Sequence, residues 1–110
     1  MNLQELNKIL VENNINLERI RINDKYLIPG IYYLYYDETK QAWAAFYHDR
    51  EYNEERYFKT EDQACRKFIN LVFSTPENFK DYNINGYWKI KDRGEKLIIK
   101  YTSRNQTDEQ

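Results

Sequence analysis

The sequence is poor in the residues that form crosslinks and metal sites. Its 110 residues include one cysteine, Cys65, and one histidine, His48. A single cysteine cannot form an internal disulfide, and the chain has no cluster of Cys and His at the spacing of a zinc site. We therefore expect neither a disulfide nor a metal site.

Catalytic motifs are missing as well. Cys65 and His48 are the only candidates for a nucleophile and its base. Cys65 falls on the apolar stripe of a predicted helix, where a thiol packs as a small hydrophobic group. No G-x-G-x-x-G, Walker A, H-E-x-x-H or G-x-S-x-G pattern occurs. These absences predict a protein that is not an enzyme and needs no cofactor.

Long hydrophobic runs are also lacking. No segment approaches the roughly 20 apolar residues that are needed to cross a bilayer. Residues 1–5 have neither the basic start nor the apolar stretch of a secretory signal. We therefore expect a cytoplasmic protein with no membrane partner.

The residues that are present have the composition of one small folded domain. Hydrophobic residues make up 41% of the chain and aromatic residues 16%, which supplies enough apolar surface for a core. A chain of 110 residues fits a single domain, which we place at residues 1–102. Residues 103–110 hold nothing to bury and are predicted to form a flexible tail.

Two helices are predicted from the spacing of apolar residues. Leucine and isoleucine recur every three or four positions between residues 3 and 10, which indicates a short N-terminal helix. Thr60 and Gln63 have the spacing of a capping box, in which each side chain bonds to the other residue's backbone N–H. Pro76 prevents a helix from continuing much further. The second helix is therefore predicted from residue 61 to about 74.

Strands are predicted before and after that helix. Residues 31–36, 42–48 and about 52–59 form three runs that suit antiparallel hairpins, and the second run should be central because both of its faces are apolar. A short edge strand is expected near Ile20 and Ile22. Residues 87–91 and 96–102 flank Asp92-Arg93-Gly94-Glu95 as in a further hairpin. The predicted fold is α+β: an antiparallel sheet of about four to six strands, with the N-terminal helix and the helix at about 61–74 packed on it.

Charge is unevenly distributed, although the chain as a whole has a net charge of only −1. Six acidic and two basic residues leave residues 37–55 with a net charge of −4. These residues are the predicted hairpin tips and outer strand, so they could form an acidic rim around exposed tyrosines and attract a basic partner. Tyrosine is abundant, with 11 copies, and it recurs at binding interfaces because its large ring loses little rotamer entropy on contact.

Residues 79–104 carry the opposite charge. Seven basic and three acidic residues give a net charge of +4, with aromatic residues between the lysines. Such a segment could stack bases and neutralise phosphates. We favour a simpler interpretation, in which the aromatics of a hairpin close the core and its lysines protect an edge strand. Nucleic acid binding remains the alternative function, and it would use Tyr87, Trp88, Lys89, Lys91 and Lys96.

Two sequence blocks carry a family resemblance. The block WAAFYHDR at 43–50, followed by RYFKTEDQACRKF at 56–68, resembles small immunity proteins of bacterial polymorphic-toxin and contact-dependent growth inhibition systems. The resemblance covers about residues 31–73. It implies a protein that binds a cognate toxin domain, often a nuclease, in a stoichiometric complex and so neutralises it.

The resemblance implies no individual contact residue, so the predicted toxin-binding site depends on charge and expected exposure alone. We predict that the acidic segment and its neighbouring tyrosines form this site. The candidate residues are Asp37, Glu38, Asp49, Glu51, Glu54, Glu55, Tyr36 and Tyr52.

Overall fold

A computed structural model of the chain describes residues 1–49 and 57–103. Within these residues the protein is an α+β domain with three α-helices and a four-stranded mixed sheet, which confirms the predicted fold class. The predicted tail at 103–110 lies outside the described residues, apart from Ser103. In chain order the elements are α1 (Leu3–Glu12), β1 (Ile20–Ile22), β2 (Ile31–Asp37), β3 (Ala42–His48), β4 (Tyr57–Phe58), α2 (Glu61–Phe73) and α3 (Tyr87–Thr102).

The four strands lie in the order β1-β2-β3-β4. β3 pairs antiparallel with β2 on one side and with β4 on the other, so the prediction of a central strand at 42–48 is confirmed. Of the predicted strand at 52–59, residues 57–58 form β4, Lys59 lies in the bend that follows, and residues 52–56 lie outside the described residues. Both faces of β3 are covered, because Ala44, Ala45 and Phe46 are all buried.

β1 differs from the predicted antiparallel arrangement, since it runs parallel to β2. Parallel neighbours need a connection that returns the chain to its starting end. Residues 23–30 make this return across the face of the sheet opposite the helices. The hydroxyl of Tyr33 holds them there by accepting a hydrogen bond from the Ile28 N–H and donating one to the Tyr26 carbonyl, both at 2.6 Å.

α1 and α2 pack on the other face of the sheet. α2 begins at the capping box predicted from the sequence: Thr60 Oγ1 accepts from the Gln63 N–H at 3.1 Å, and the Gln63 side chain accepts from the Thr60 N–H at 3.3 Å. Leu6 and Leu10 of α1 and Phe68 of α2 are fully buried in this core. Both helix predictions are therefore confirmed.

The predicted C-terminal hairpin is wrong, because residues 87–102 form a single helix, α3. The glycine that suggested a turn, Gly94, is buried where α3 crosses α2. A Cβ atom at this position would lie 2.2 Å from the Phe73 carbonyl oxygen. Gly94 thus permits close approach of two helices. The far end of α3 is held by Arg66, whose guanidinium donates to the carbonyls of Tyr101 and Thr102 at 3.1 and 3.4 Å.

Candidate functional site

The predicted acidic rim is divided by the register of the β2–β3 hairpin. Asp37 pairs with Ala42 next to the turn, whereas Ile31 pairs with His48 at the other end. Paired strands of seven residues are about 20 Å long. Asp37 and Glu38 therefore lie at one end of the hairpin, while Asp49 follows the opposite end. The structure does not bring these three carboxylates together, and the predicted site residues Glu51, Tyr52, Glu54 and Glu55 lie outside the described residues.

The turn end of the hairpin combines carboxylates with an exposed tyrosine that packs against a half-buried tryptophan. Tyr36 is 39% exposed, and its ring lies edge-on against Trp43 with 5.4 Å between ring centroids. The Asp37 carboxylate accepts a hydrogen bond from the Lys40 N–H at 3.1 Å, which holds the turn, and Glu38 is exposed beside it. We call Tyr36, Asp37, Glu38 and Trp43 the hairpin tip. Of the predicted site residues, it retains three.

The other tyrosines of β2 are part of the core. Tyr32 faces the helices, with its ring 4.6 Å from that of Tyr47. Tyr33 and Tyr35 face the opposite side and pack with Phe46 at 5.6 and 6.0 Å between centroids. All three are buried, so Tyr36 is the exposed tyrosine of this strand.

Cys65 and His48 lie on opposite faces of the sheet and cannot act as a catalytic pair. Cys65 is fully buried in the core beneath the helices. The ring of His48 approaches Tyr33, on the other face, at 6.4 Å between centroids. Burial, helped by the negative charge of Glu61, raises the pKa of the Cys65 thiol to about 12. The thiol is therefore protonated, and not nucleophilic, at neutral pH.

A surface that sequence reasoning missed runs along α3. A cavity of about 560 Å³ lies between this helix and the residues that precede it. We call it the α3 groove. Four basic residues line it: Lys89, Arg93, Lys96 and Lys100. Two acidic residues, Asp81 and Asp92, lie among them. The remaining lining residues are small, polar or aliphatic: Asn83, Gly86, Ile90 and Leu97.

The sequence contained the signal for this groove. The four basic residues follow one another at spacings of four, three and four, which places them on one stripe of a helix. Of the residues assigned to the alternative nucleic acid site, Lys89 and Lys96 line the groove. Tyr87, Trp88 and Lys91 lie on α3 but do not line it, so the helix separates residues that the predicted hairpin would have combined.

Not all of the positive charge in the α3 groove is available to a ligand. Arg93 donates two hydrogen bonds to Asp81, at 2.8 and 3.0 Å, and these hold the pKa of the Asp81 carboxyl below its ordinary value. Lys96 lies 3.0 Å from Asp92. By contrast, Lys89 and Lys100 have no carboxylate partner among the residues that the structure describes, although Lys100 lies over the Tyr101 ring. Among the described residues, Lys89 and Lys100, the first and last cations of the groove along α3, are therefore uncompensated.

Exposed apolar side chains accompany these charges. Ile84 and Trp88 are 78% and 76% exposed, and Ile99 is 63% exposed. Trp88 packs its ring edge-on against Tyr87, with 5.0 Å between centroids. Single exposed apolar side chains are common on protein surfaces, and none of these three lines the groove.

Comparisons with protein-family models, with curated proteins and with solved structures find no match to this chain. Within residues 1–49 and 57–103, no helix is both long and apolar enough to span a membrane. The same residues contain no group of three or more His, Cys, Asp or Glu side chains that could hold a metal ion. The function is therefore inferred from the hairpin tip, the α3 groove and the resemblance in sequence.

Proposed function

We propose that this protein is a cytoplasmic immunity protein, which neutralises a cognate bacterial toxin domain by forming a stoichiometric complex with it. In this proposal the protein makes no covalent change in the toxin. The observation that carries the proposal is the hairpin tip, where an exposed tyrosine packs edge-on against a half-buried tryptophan, next to Asp37 and Glu38 at the turn. Aromatic anchors of this kind supply much of the affinity of protein interfaces, and the charges guide the approach of a basic partner.

The hairpin tip is well suited to this role because its shape is fixed before binding. Tyr36 is paired with Trp43 across the two strands, and Trp43 also pairs with Phe58 of β4. The Asp37 carboxylate fixes the turn that follows. A preformed contact loses less conformational entropy when the partner binds.

The proposal predicts that two substitutions at the tip weaken toxin binding by different routes. Tyr36→Ala removes the aromatic anchor and is expected to lower affinity by about tenfold or more, mainly through faster dissociation. Glu38→Lys reverses one exposed charge and is expected mainly to slow association with a basic toxin, with the effect diminishing at high salt. Surface plasmon resonance with a candidate toxin domain, sought first in the adjacent upstream gene, measures both rates.

Glu18→Lys is the matched control for the charge reversal. Glu18 is exposed and precedes β1, which meets β2 at the end of the sheet away from the hairpin tip. This variant should bind as the unmodified protein does. If all three variants bound the toxin as tightly and as fast as the unmodified protein, the hairpin tip would be excluded as the contact surface.

The alternative function, nucleic acid binding, was based on a C-terminal hairpin that the structure replaces with α3. The basic residues are still grouped on one face of that helix.

A further inference from the structure

We propose that the α3 groove is a docking site for an acidic, amphipathic segment of a partner polypeptide. This goes beyond the proposed toxin contact, because the groove and the hairpin tip share no residue and carry opposite charges. Either site can therefore be tested, and can fail, without the other.

The groove has the dimensions of a peptide site. Its volume of about 560 Å³ is within the range of ligand sites, roughly 300–1,000 Å³. Lys89 and Lys100 are eleven residues apart on α3, which places them about 16 Å apart along the helix axis. The same distance separates residues eleven positions apart in a bound helix, or about five positions apart in an extended segment.

Charge identifies the chemistry of the partner. The four cations of the groove outnumber its two carboxylates, and the uncompensated cations, Lys89 and Lys100, lie at its ends. An occupant with carboxylates near each end would pair with both. Arg93 is already bound to Asp81, and its guanidinium lies 4.8 Å from the centroid of the Phe79 ring. Its side chain is therefore held in place as one side of the groove.

The lining of the groove favours a polypeptide over a nucleic acid. Ile90 is already buried in the protein's own core, so the apolar surface of the groove comes from half-buried Leu97 and from the carbon chains of the lysines and the arginine that line it. An occupant with apolar side chains of its own would cover this surface. None of the described residues that line the groove is aromatic, so these residues give bases nothing to stack on. Trp88 is offset by about 100° around the helix from Lys89 and does not line the groove. Asp81 and Asp92 would also repel a continuous row of phosphates.

The test uses a fluorescein-labelled peptide of 16 residues, with leucines along one helical face and glutamates on both sides of them. A shuffled peptide of identical composition is the first control, and a 20-nucleotide oligothymidylate represents nucleic acid. Fluorescence anisotropy is measured at 50 and 300 mM NaCl. We expect the amphipathic peptide to bind at micromolar concentration, more weakly at the higher salt, and better than either control.

Matched protein variants then locate the binding. Lys89→Gln with Lys100→Gln removes the two uncompensated cations and is expected to weaken peptide binding by about fivefold or more. Lys8→Gln with Lys59→Gln makes the same change in net charge outside the groove and should leave affinity within about twofold. All four lysines are partly or fully exposed, and circular dichroism checks that both variants are folded.

Three results would overturn the proposal. The first is equal binding of the amphipathic and shuffled peptides, which would show attraction by net charge alone. The second is unchanged affinity in the Lys89 and Lys100 double variant. The third is tighter binding of the oligothymidylate than of the peptide, with the same dependence on these two lysines, which would assign the groove to nucleic acid instead.

Discussion

At the scale of single residues, burial determines the chemistry of Cys65. The side chain is fully buried, and burial raises the pKa of its thiol to about 12 from an ordinary value of 9.0. We predict that a thiol-specific reagent at pH 8 modifies the unfolded protein in urea and leaves the native protein almost unmodified. Modification of the native protein at the rate of the unfolded chain would contradict the burial of Cys65.

The raised pKa of Cys65 also makes the stability of the protein depend on pH in the alkaline range. Above about pH 9 the unfolded chain loses the thiol proton while the native protein keeps it, so the free energy of unfolding should fall as the pH rises toward 12. Cys65→Ala should remove this part of the pH dependence, although it also leaves a small cavity. Urea denaturation at pH 8 and pH 10.5 measures the difference between the two proteins.

Asp62 makes the stability of the protein depend on pH in the acidic range, and here stability falls as the pH is lowered. Burial of the Asp62 carboxyl opposes its ionisation, but hydrogen bonds from Arg66 and from the N-terminal ammonium outweigh this, and the pKa of Asp62 lies below 3.8. A lowered pKa stabilises the folded protein above the ordinary pKa, and the contribution is lost as the pH falls through the lowered value. The network also holds Arg66, which donates to the carbonyls that end α3.

We predict that Asp62→Asn lowers the free energy of unfolding at pH 7 by about 1 kcal/mol, since the carboxyl is partly exposed. The difference between the variant and the unmodified protein should shrink below pH 3.5. Urea denaturation at pH 7 and pH 2.5 gives both values. An equal difference at the two pH values would show that the Asp62 charge does not stabilise this network.

At the scale of secondary structure elements, the packing of α3 on α2 depends on Gly94. Alanine has a higher helix propensity than glycine by about 1 kcal/mol. At Gly94, however, the added methyl group would lie 2.2 Å from the Phe73 carbonyl oxygen, so the backbone of one helix must move. We predict that Gly94→Ala destabilises the protein by about 1–3 kcal/mol despite its better propensity.

Gly86→Ala is the control for this prediction. Gly86 precedes α3, and a Cβ atom there would come no closer than 3.5 Å to other atoms, in the flexible side chain of Asn83. Urea denaturation should show a change of less than about 0.5 kcal/mol for this variant. If Gly94→Ala proves as stable as Gly86→Ala, the close crossing of α2 and α3 is wrong.

The elements differ in how far local sequence determines them. α2 could be predicted because its boundaries are local: Thr60 and Gln63 form the cap, and Pro76 closes the segment. α3 could not be predicted as long as Gly94 was interpreted as a turn residue. This glycine allows α3 to pack closely on α2, and local sequence does not show such a tertiary contact. Its apolar residues Tyr87, Ile90, Leu97 and Tyr101 do have helical spacing, and this signal predicts α3 correctly when the glycines are set aside.

The candidate site shows the same limit. Local pattern placed Tyr36, Asp37 and Glu38 near a turn, and the structure has them there. It could not show that Asp49 lies at the far end of the hairpin, because strand register depends on the pairing of Ile31 with His48. Nor could it show that Tyr33 and Tyr35 are covered, since residues 23–30 reach them from another part of the chain.

At the scale of the whole molecule, two surfaces of opposite charge are separate in structure. The hairpin tip presents Tyr36 with Asp37 and Glu38, and the α3 groove presents Lys89 and Lys100. A net charge of −1 conceals this separation. Salt should therefore weaken the binding of both a basic toxin and an acidic peptide, although the two ligands use different parts of the protein.

The most direct measurement is a titration of the toxin's activity with the purified protein. A candidate toxin domain is held at a fixed concentration well above the dissociation constant, increasing amounts of the protein are added, and the remaining toxin activity is assayed. Binding in a stoichiometric complex predicts a linear fall that reaches zero at one equivalent, with Tyr36→Ala giving a curved and incomplete fall. Loss of all activity at a small fraction of an equivalent, or no loss at several equivalents, would contradict neutralisation by complex formation.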